Sequence, residues 1–209
     1  MSRGRTRSYD PDDVLDRVMR AFWRRGYAAT SMRELREVTG LGSRSLYDDF
    51  GNKRELFRAA LARYREEKML RLYAPLREGE SPLVALREFI ARFEAHGRSD
   101  IRLGCLVGIG MAESVRGEDR VLANEIAALA DEMRDRIKEA IRSAVERGEL
   151  DGTIDPPELA ALLFATLQGA NLVGRVQPGG VLRADALSAA RGLLDRFANA
   201  TEAGSVAPQ

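Results

Sequence analysis

The sequence has few of the residues on which enzymes, metal sites and disulfide-linked folds depend. Its 209 residues include one cysteine, one histidine and one tryptophan, and aromatic residues make up only 6%. With Cys105 as the single cysteine, no intramolecular disulfide can form, which is typical of a protein from a reducing compartment. Catalysis needs convergent reactive groups, and the sequence shows neither a phosphate-binding loop nor metal-ligand spacing. It therefore predicts no enzyme, no metal site and no cofactor.

Long apolar runs and strand-forming residues are also scarce. The first residues are basic, but no apolar stretch follows them as it would in a secretory signal, and we expect no stretch to reach the length of a membrane span. Ala, Leu, Arg and Glu outnumber Val, Ile, Thr and the aromatics, a balance that favours helices over sheets. We expect an all-α, cytoplasmic protein with no membrane partner.

Charge is distributed unevenly along a chain whose formal net charge is only +1. Residues 1–58 hold thirteen Lys or Arg against nine Asp or Glu, a net of +4, so the remainder carries −3. A basic N-terminal part on a nearly neutral chain is a modest indication of nucleic-acid binding.

Helix start and stop signals recur along the whole chain. Asp10-Pro11 combines a good N-cap with proline at the first helical position, and Gly26 is a typical stop. Ser31 and Glu34 have capping-box spacing. Helices are predicted over residues 10–26, 31–40, 43–50, 53–72, 82–96, 102–115, 119–147, 157–176 and 184–199.

The stretch 30–53 has the layout of a helix-turn-helix. Two short predicted helices are joined by Gly40-Leu41-Gly42, and Gly40 can adopt a positive φ in the turn. Leu46 and Phe50 share one face of the second helix and are expected to anchor it. The opposite face is then free to enter a DNA groove. The outward residues are Ser43, Arg44, Ser45, Tyr47 and Asp48.

These residues carry a family resemblance. The segments Gly26-Tyr27-Ala28-Ala29-Thr30-Ser31, Gly40-Leu41 and Leu46-Tyr47-Asp48-Asp49-Phe50-Gly51-Asn52-Lys53 resemble the signature of the TetR family of bacterial transcriptional regulators. The close resemblance covers about residues 12–57. The sequence departs from the family pattern at Arg36, where a small alanine is usual, at Gly42, where a serine cap is usual, and at Asp48-Asp49.

The resemblance implies a role for each exposed residue of the motif. Arg44 is expected to read a base, because its guanidinium matches the two acceptors of guanine, and Ser43 and Ser45 are expected to assist it. Backbone phosphates are expected to be held by residues at helix N-termini and by the tyrosine of the recognition helix. These are Thr30, Ser31, Tyr47 and Lys53.

The resemblance also implies the domain organisation. We expect a flexible basic arm (1–9), a three-helix helix-turn-helix DNA-binding bundle (10–56), a larger α-helical ligand-binding and dimerisation domain (57–200) and a disordered tail (201–209). Such a protein binds a double-stranded DNA operator as a homodimer, and the last two long helices form the interface. Leu163 and Leu167 are the predicted interface residues.

An unknown small-molecule effector is expected to enter the C-terminal domain. Its polar lining is predicted from isolated polar residues in apolar or glycine-rich helices, namely Cys105, Glu113, Gln168 and Asn171. Cys105 has two possible interpretations: it is either a small buried hydrophobe or a sensor of electrophiles or oxidants.

Two other kinds of DNA-binding protein also fit the motif. An architectural protein without a ligand would need no long apolar C-terminal region. An activator would differ from a repressor only in the position of its operator.

Overall fold

The computed structural model describes residues 9–78, 81–100, 103–114 and 119–199. The predicted tail, and the predicted basic arm except for Tyr9, lie outside these residues. Eleven helices are found in the described ranges: α1 (Pro11–Ala29), α2 (Met32–Thr39), α3 (Ser43–Phe50), α4 (Lys53–Tyr64), α5 (Leu70–Tyr73), α6 (Pro75–Glu78), α7 (Pro82–Asp100), α8 (Leu106–Ser114), α9 (Arg120–Glu146), α10 (Pro156–Val176) and α11 (Val181–Phe197). A π-helical turn, Arg65–Met69, separates α4 from α5. Within the described ranges the only β-pairing is an isolated bridge between Leu150 and Ala198, so the all-α prediction is confirmed.

Two compact units form from discontinuous stretches of the chain. The first contains the residues up to Leu70 together with Cys105–Ala127, and the second contains Arg71–Gly104 and the residues from Ala128 onward. The sequence-based division predicted one C-terminal domain over residues 57–200. The structure instead groups α8 and the start of α9 with the helix-turn-helix.

The start of α1 follows the sequence signals and its end does not. The Asp10 carboxylate accepts a hydrogen bond from the Asp12 backbone N–H at 2.9 Å, and Pro11 occupies the first turn. Gly26 is non-helical, with φ 81° and ψ 174°, and one further turn follows it as far as Ala29. The predicted stop is therefore a break inside α1.

The caps of α2, α3 and α4 fix the helix-turn-helix. Ser31 Oγ accepts a hydrogen bond from the Glu34 N–H at 3.2 Å, and Gly40 ends α2 in the left-handed region with φ 73°. Gly42, which has no side chain to cap with, precedes α3. A full capping box between Asn52 and Glu55 starts α4.

Aromatic packing between α1 and α4 forms the core of the first unit. The ring of Phe22 meets Phe57 edge-on at 4.9 Å between centroids, and Trp23 meets Tyr64 in the same way at 5.0 Å. Leu46 of α3 is fully buried, as its predicted anchoring role requires.

Helix α8 starts later than predicted because Gly104 adopts φ 67° and stands outside the helix. Within α8, a Cβ built on Gly110 would lie 3.0 Å from Ile126 Cδ1. Close packing between α8 and α9 therefore accounts for a glycine at this position.

The second unit packs α10 and α7 against α11. Ion pairs support α7 against α11 at two points, Arg87–Asp195 at 2.7 Å and Glu94–Arg191 at 3.0 Å. Helix α10 is long and apolar enough to cross a membrane by length and composition alone, so the prediction that no stretch reaches that length is wrong for this segment. A third of its most apolar window is buried inside the chain, and core helices of soluble proteins have the same composition.

Candidate nucleic-acid interface

The recognition helix α3 presents most of its predicted readers to solvent. Arg44 is the most exposed, with 91% of its side chain accessible, and its guanidinium lies 3.6 Å from the Asp48 carboxylate one turn away. Tyr47 is half exposed. Ser43 is exposed and Ser45 is half-buried. An exposed ion pair of this kind is weak, so Arg44 can exchange Asp48 for a base edge.

Arg36 is connected to the start of the recognition helix. Its guanidinium donates a hydrogen bond to Ser43 Oγ at 2.6 Å. The long side chain therefore extends out of the position where the family usually has alanine, and its charge lies beside the uncapped N-terminus of α3. In the sequence, Arg36 is recognisable only as a departure from the family pattern. Its contact with α3 depends on the angle between the two helices, which the sequence does not show.

Thr30 lies beneath the protein surface, and its neighbour Ser31 lies on it. Thr30 is fully buried, and its hydroxyl donates to the Gly26 carbonyl at 2.6 Å. The prediction of Thr30 as a surface contact is thereby corrected, because its side chain holds the turn that follows Gly26. Ser31 is exposed as the N-cap of α2, as its predicted role requires.

Lys53 lies at the first position of α4 with its ammonium group already engaged. Nζ donates to the Ala28 carbonyl at 3.3 Å and lies 4.5 Å from the centroid of the Tyr27 ring. Partial burial lowers the pKa of Lys53 from its ordinary value, and the negative charge of Glu113 opposes that shift. The Ala28 carbonyl takes one of the three ammonium N–H groups, so donors remain for a phosphate oxygen.

The predicted pocket residues fall in different units. Cys105 and Glu113 belong to the first unit, and Gln168 and Asn171 lie on α10 in the second. The Cys105 thiol is buried, accepts a hydrogen bond from the Gly108 N–H at 3.4 Å and lies 3.7 Å from the Tyr64 hydroxyl. Glu113 binds backbone amides of α1. The side-chain oxygen of Gln168 is buried and has no hydrogen-bond partner among the described residues.

Leu163 and Leu167 are buried within the second unit itself, at 2% and 1% exposure. They support α10 from inside, and the outward apolar face of the two last helices is formed by other side chains. These are Leu162, Leu172, Val176, Val181 and Leu182, all more than half exposed. Leu162 also lines a groove of about 650 Å³, together with residues of α10 and α11 such as Thr166 and Leu193.

Two protein-family models match the chain, one in its N-terminal part and one in its C-terminal part. The model of the bacterial regulatory proteins of the tetR family matches residues 14–60, and that of the tetracyclin repressor-like C-terminal domain matches residues 82–203. The chain belongs to the TetR family. It is a DNA-binding transcriptional regulator and not an enzyme.

Individual TetR-family relatives cover most of the chain. The HTH-type transcriptional repressor ComR of Escherichia coli is 31% identical over 176 residues, which are 83% of each protein. The HTH-type transcriptional regulator TtgR of Pseudomonas putida is 27% identical over 75% of each. A structure of the TetR regulator CifR, solved with a 26-base-pair operator DNA, is 29% identical, covers 91% of this chain and 98% of its own, and superposes with a TM-score of 0.76.

Within the described ranges, no three His, Cys, Asp or Glu side chains are grouped as a metal ion would need. Among the predicted DNA contacts, the hydroxyl of Ser31, the guanidinium of Arg44 and the ring of Tyr47 are exposed.

Proposed function

We propose that this TetR-family protein is a repressor that binds a palindromic operator as a homodimer in the cytoplasm and is released by a small hydrophobic or amphipathic molecule. The observation that carries the proposal is the exposed Arg44 on a recognition helix anchored by buried Leu46. In this mode Arg44 reads a base, Tyr47 and Ser31 contact phosphates, and Ser43 and Ser45 assist. Lys53 contacts a phosphate with another of its three ammonium N–H groups and keeps its bond to the Ala28 carbonyl.

A homodimer is supported by the apolar face of α10 and α11. Leucine and valine side chains are exposed on both helices, and a second copy of the same face would cover them. A twofold dimer places two recognition helices on half-sites whose centres are about 34–36 Å apart, or a multiple of that distance.

The Gln168 oxygen supports the existence of an effector. A buried acceptor without a partner is unfavourable unless water or a ligand donates to it. The proposed effector is therefore mainly apolar and carries at least one hydrogen-bond donor, and Asn171 on the same helix is a further polar group for it.

The operator can be selected from a pool of random duplexes and then used to test base reading. Arg44→Ala should lose preference at one base pair, at a cost of about 1–3 kcal/mol, and keep its affinity for random DNA. Arg142→Ala is the matched control, because Arg142 is also exposed on a helix and paired with an acid one turn away. Equal losses on operator and random DNA would disprove base reading by Arg44.

Effector release can be tested before the ligand has been identified. Small molecules are screened for thermal stabilisation, and operator affinity is measured with each hit. A ligand that prefers the DNA-free state must lower operator affinity, because coupling between two sites is reciprocal. Stabilising hits that leave operator affinity unchanged would contradict the proposed release.

Cys105 supports a second version of release, in which an electrophile modifies its thiol. The favouring observation is its position immediately before α8, with its sulfur accepting the Gly108 N–H of the first turn. Cys105→Ser should then abolish release by electrophiles and keep operator binding. Release that persists in Cys105→Ser would leave the thiol with a packing role.

A further inference from the structure

The carboxylate of Glu113 lies on the backbone of the turn that follows Gly26. One oxygen accepts a hydrogen bond from the Tyr27 N–H at 2.7 Å, and the other accepts a longer one from the Ala28 N–H at 3.4 Å. Because Gly26 breaks α1, these two amides begin a new turn, where backbone N–H groups need an acceptor from outside the helix. Glu113 supplies that acceptor from α8, more than eighty residues along the chain.

Gly26 is necessary for this contact. A Cβ at position 26 would lie 2.2 Å from Glu113 Oε1, closer than any real contact. Glycine therefore provides both the positive φ of the break and the space that the carboxylate occupies.

Lys53 holds the opposite side of the same turn. Glu113 accepts from the N–H groups of Tyr27 and Ala28, and the Lys53 ammonium donates to the Ala28 carbonyl and covers the Tyr27 ring. The turn is thus held between an anion from α8 and a cation from α4. A helix outside the helix-turn-helix determines where the turn lies.

The turn leads directly into the DNA-binding surface. Thr30 closes it by donating to the Gly26 carbonyl, and the next residue, Ser31, is the exposed N-cap of α2. Farther along α2, Arg36 is bonded to Ser43 at the start of the recognition helix. A displacement of the turn would therefore move the N-terminus of α2 and, through Arg36, alter the contacts of α3.

We propose that Glu113 is a positioning residue for operator binding, which holds the turn at Tyr27–Ala28 so that α2 and α3 fit the DNA together. The inference rests on the proposed phosphate contact of Ser31. It makes operator affinity depend on α8, a helix outside the residues that match the DNA-binding family model.

The direction in which operator affinity changes when Glu113 is replaced distinguishes a positioning role from a purely electrostatic one. Removal of a negative charge from a DNA-binding protein should by itself strengthen its attraction to the polyanion. Loss of the two backbone hydrogen bonds should instead weaken operator binding, because the turn is no longer held. Glu125→Gln is the matched control, since Glu125 lies on α9 in the same unit and its carboxylate pairs with the Arg58 guanidinium at 2.8 Å.

The experiment measures operator affinity of the full chain by fluorescence anisotropy, at a temperature well below the melting temperature of every variant. Glu113→Ala should bind the selected operator about tenfold more weakly than the wild type. Glu113→Gln should fall in between, because its amide oxygen still accepts from Tyr27 but carries no charge. Glu125→Gln should bind as tightly as the wild type or slightly more tightly.

A double-mutant cycle with Ser31→Ala tests whether Glu113 acts through the turn. The loss caused by Glu113→Gln should shrink in the Ser31→Ala background, since both changes affect the same contact with DNA. Wild-type affinity in both Glu113 variants, or losses that add fully to those of Ser31→Ala, would overturn the inference. A wild-type protein that selects no DNA sequence would overturn the proposed function instead.

Discussion

Neighbouring residues of the same chemical type have different roles in this protein. Thr30 and Ser31 both carry a hydroxyl at the start of α2, yet Thr30 is fully buried and Ser31 is exposed. Family resemblance placed both at the DNA. The break at Gly26 decides between them, because it turns the Thr30 side chain inward to the Gly26 carbonyl.

Two glycines with positive φ should respond differently to alanine. Gly40→Ala meets no atom within 4 Å, so only backbone strain remains, roughly 1–2 kcal/mol. Gly26→Ala puts alanine at φ 81° and ψ 174°, a region essentially restricted to glycine, and adds a collision with the Glu113 carboxylate. It should therefore lose more stability in urea unfolding followed by circular dichroism. Glu113→Ala combined with Gly26→Ala should then cost less than the sum of the single changes. A strictly additive double variant would contradict the collision.

The thiol of Cys105 should be protected in the native protein. Its side chain is buried beside Tyr64, whose ring packs on Trp23, the single tryptophan. The reaction of Cys105 with a thiol reagent should be more than about tenfold slower in buffer than in denaturing urea. In buffer the reagent reaches the thiol only when the first unit unfolds locally. It should accelerate with urea in parallel with the change in Trp23 fluorescence. Fast labelling of the native protein would favour the sensor role.

At the scale of the helix, α3 depends on its packing. It has eight residues, lacks a side-chain N-cap and has a single fully buried side chain, Leu46. Isolated helices of this length are not stable in water. The recognition helix is therefore held in place by its anchor and its neighbours.

Leu46→Ala should therefore destabilise the protein by about 2–5 kcal/mol, as a leucine-to-alanine change in a core does. Val38→Ala on α2 is the matched control, because Val38 is 37% exposed and should lose less than about 1 kcal/mol. Urea unfolding gives both values. Equal losses in the two variants would show that Leu46 does not anchor α3.

At the scale of the whole molecule, the apolar outer face of α10 and α11 predicts self-association. Leu162→Asp places a charge on the exposed face and should yield a folded monomer. Leu163→Asp, one residue away, buries the charge in the core of the unit and should unfold it. Sedimentation at micromolar concentration and circular dichroism separate the two outcomes. A dimeric Leu162→Asp protein would exclude this face as the interface.

Local signals in the sequence were sufficient for much of the fold. The Asp10-Pro11 start, the Ser31 cap, the Gly40 turn and the Leu46 anchor each depend on residues close in sequence. Their patterns therefore predict the start of α1 and the bounds of α2 and α3 closely. Helix ends that depend on a glycine were predicted less well. Gly26 breaks α1 where a stop was predicted, but a further turn follows it, and Gly104 lies outside α8 although that helix was predicted from residue 102.

The sequence by itself determined the helical class, the helix-turn-helix and the exposed Arg44, because these follow from short-range spacing and from a motif within some thirty residues. Only the tertiary structure decided that Thr30 is buried, that Leu163 and Leu167 face inward, and that Glu113 caps a turn of α1. Each of these depends on packing between elements distant in sequence. The periodicity of a single helix shows that it has an apolar face, and the neighbours that cover that face are set by the fold.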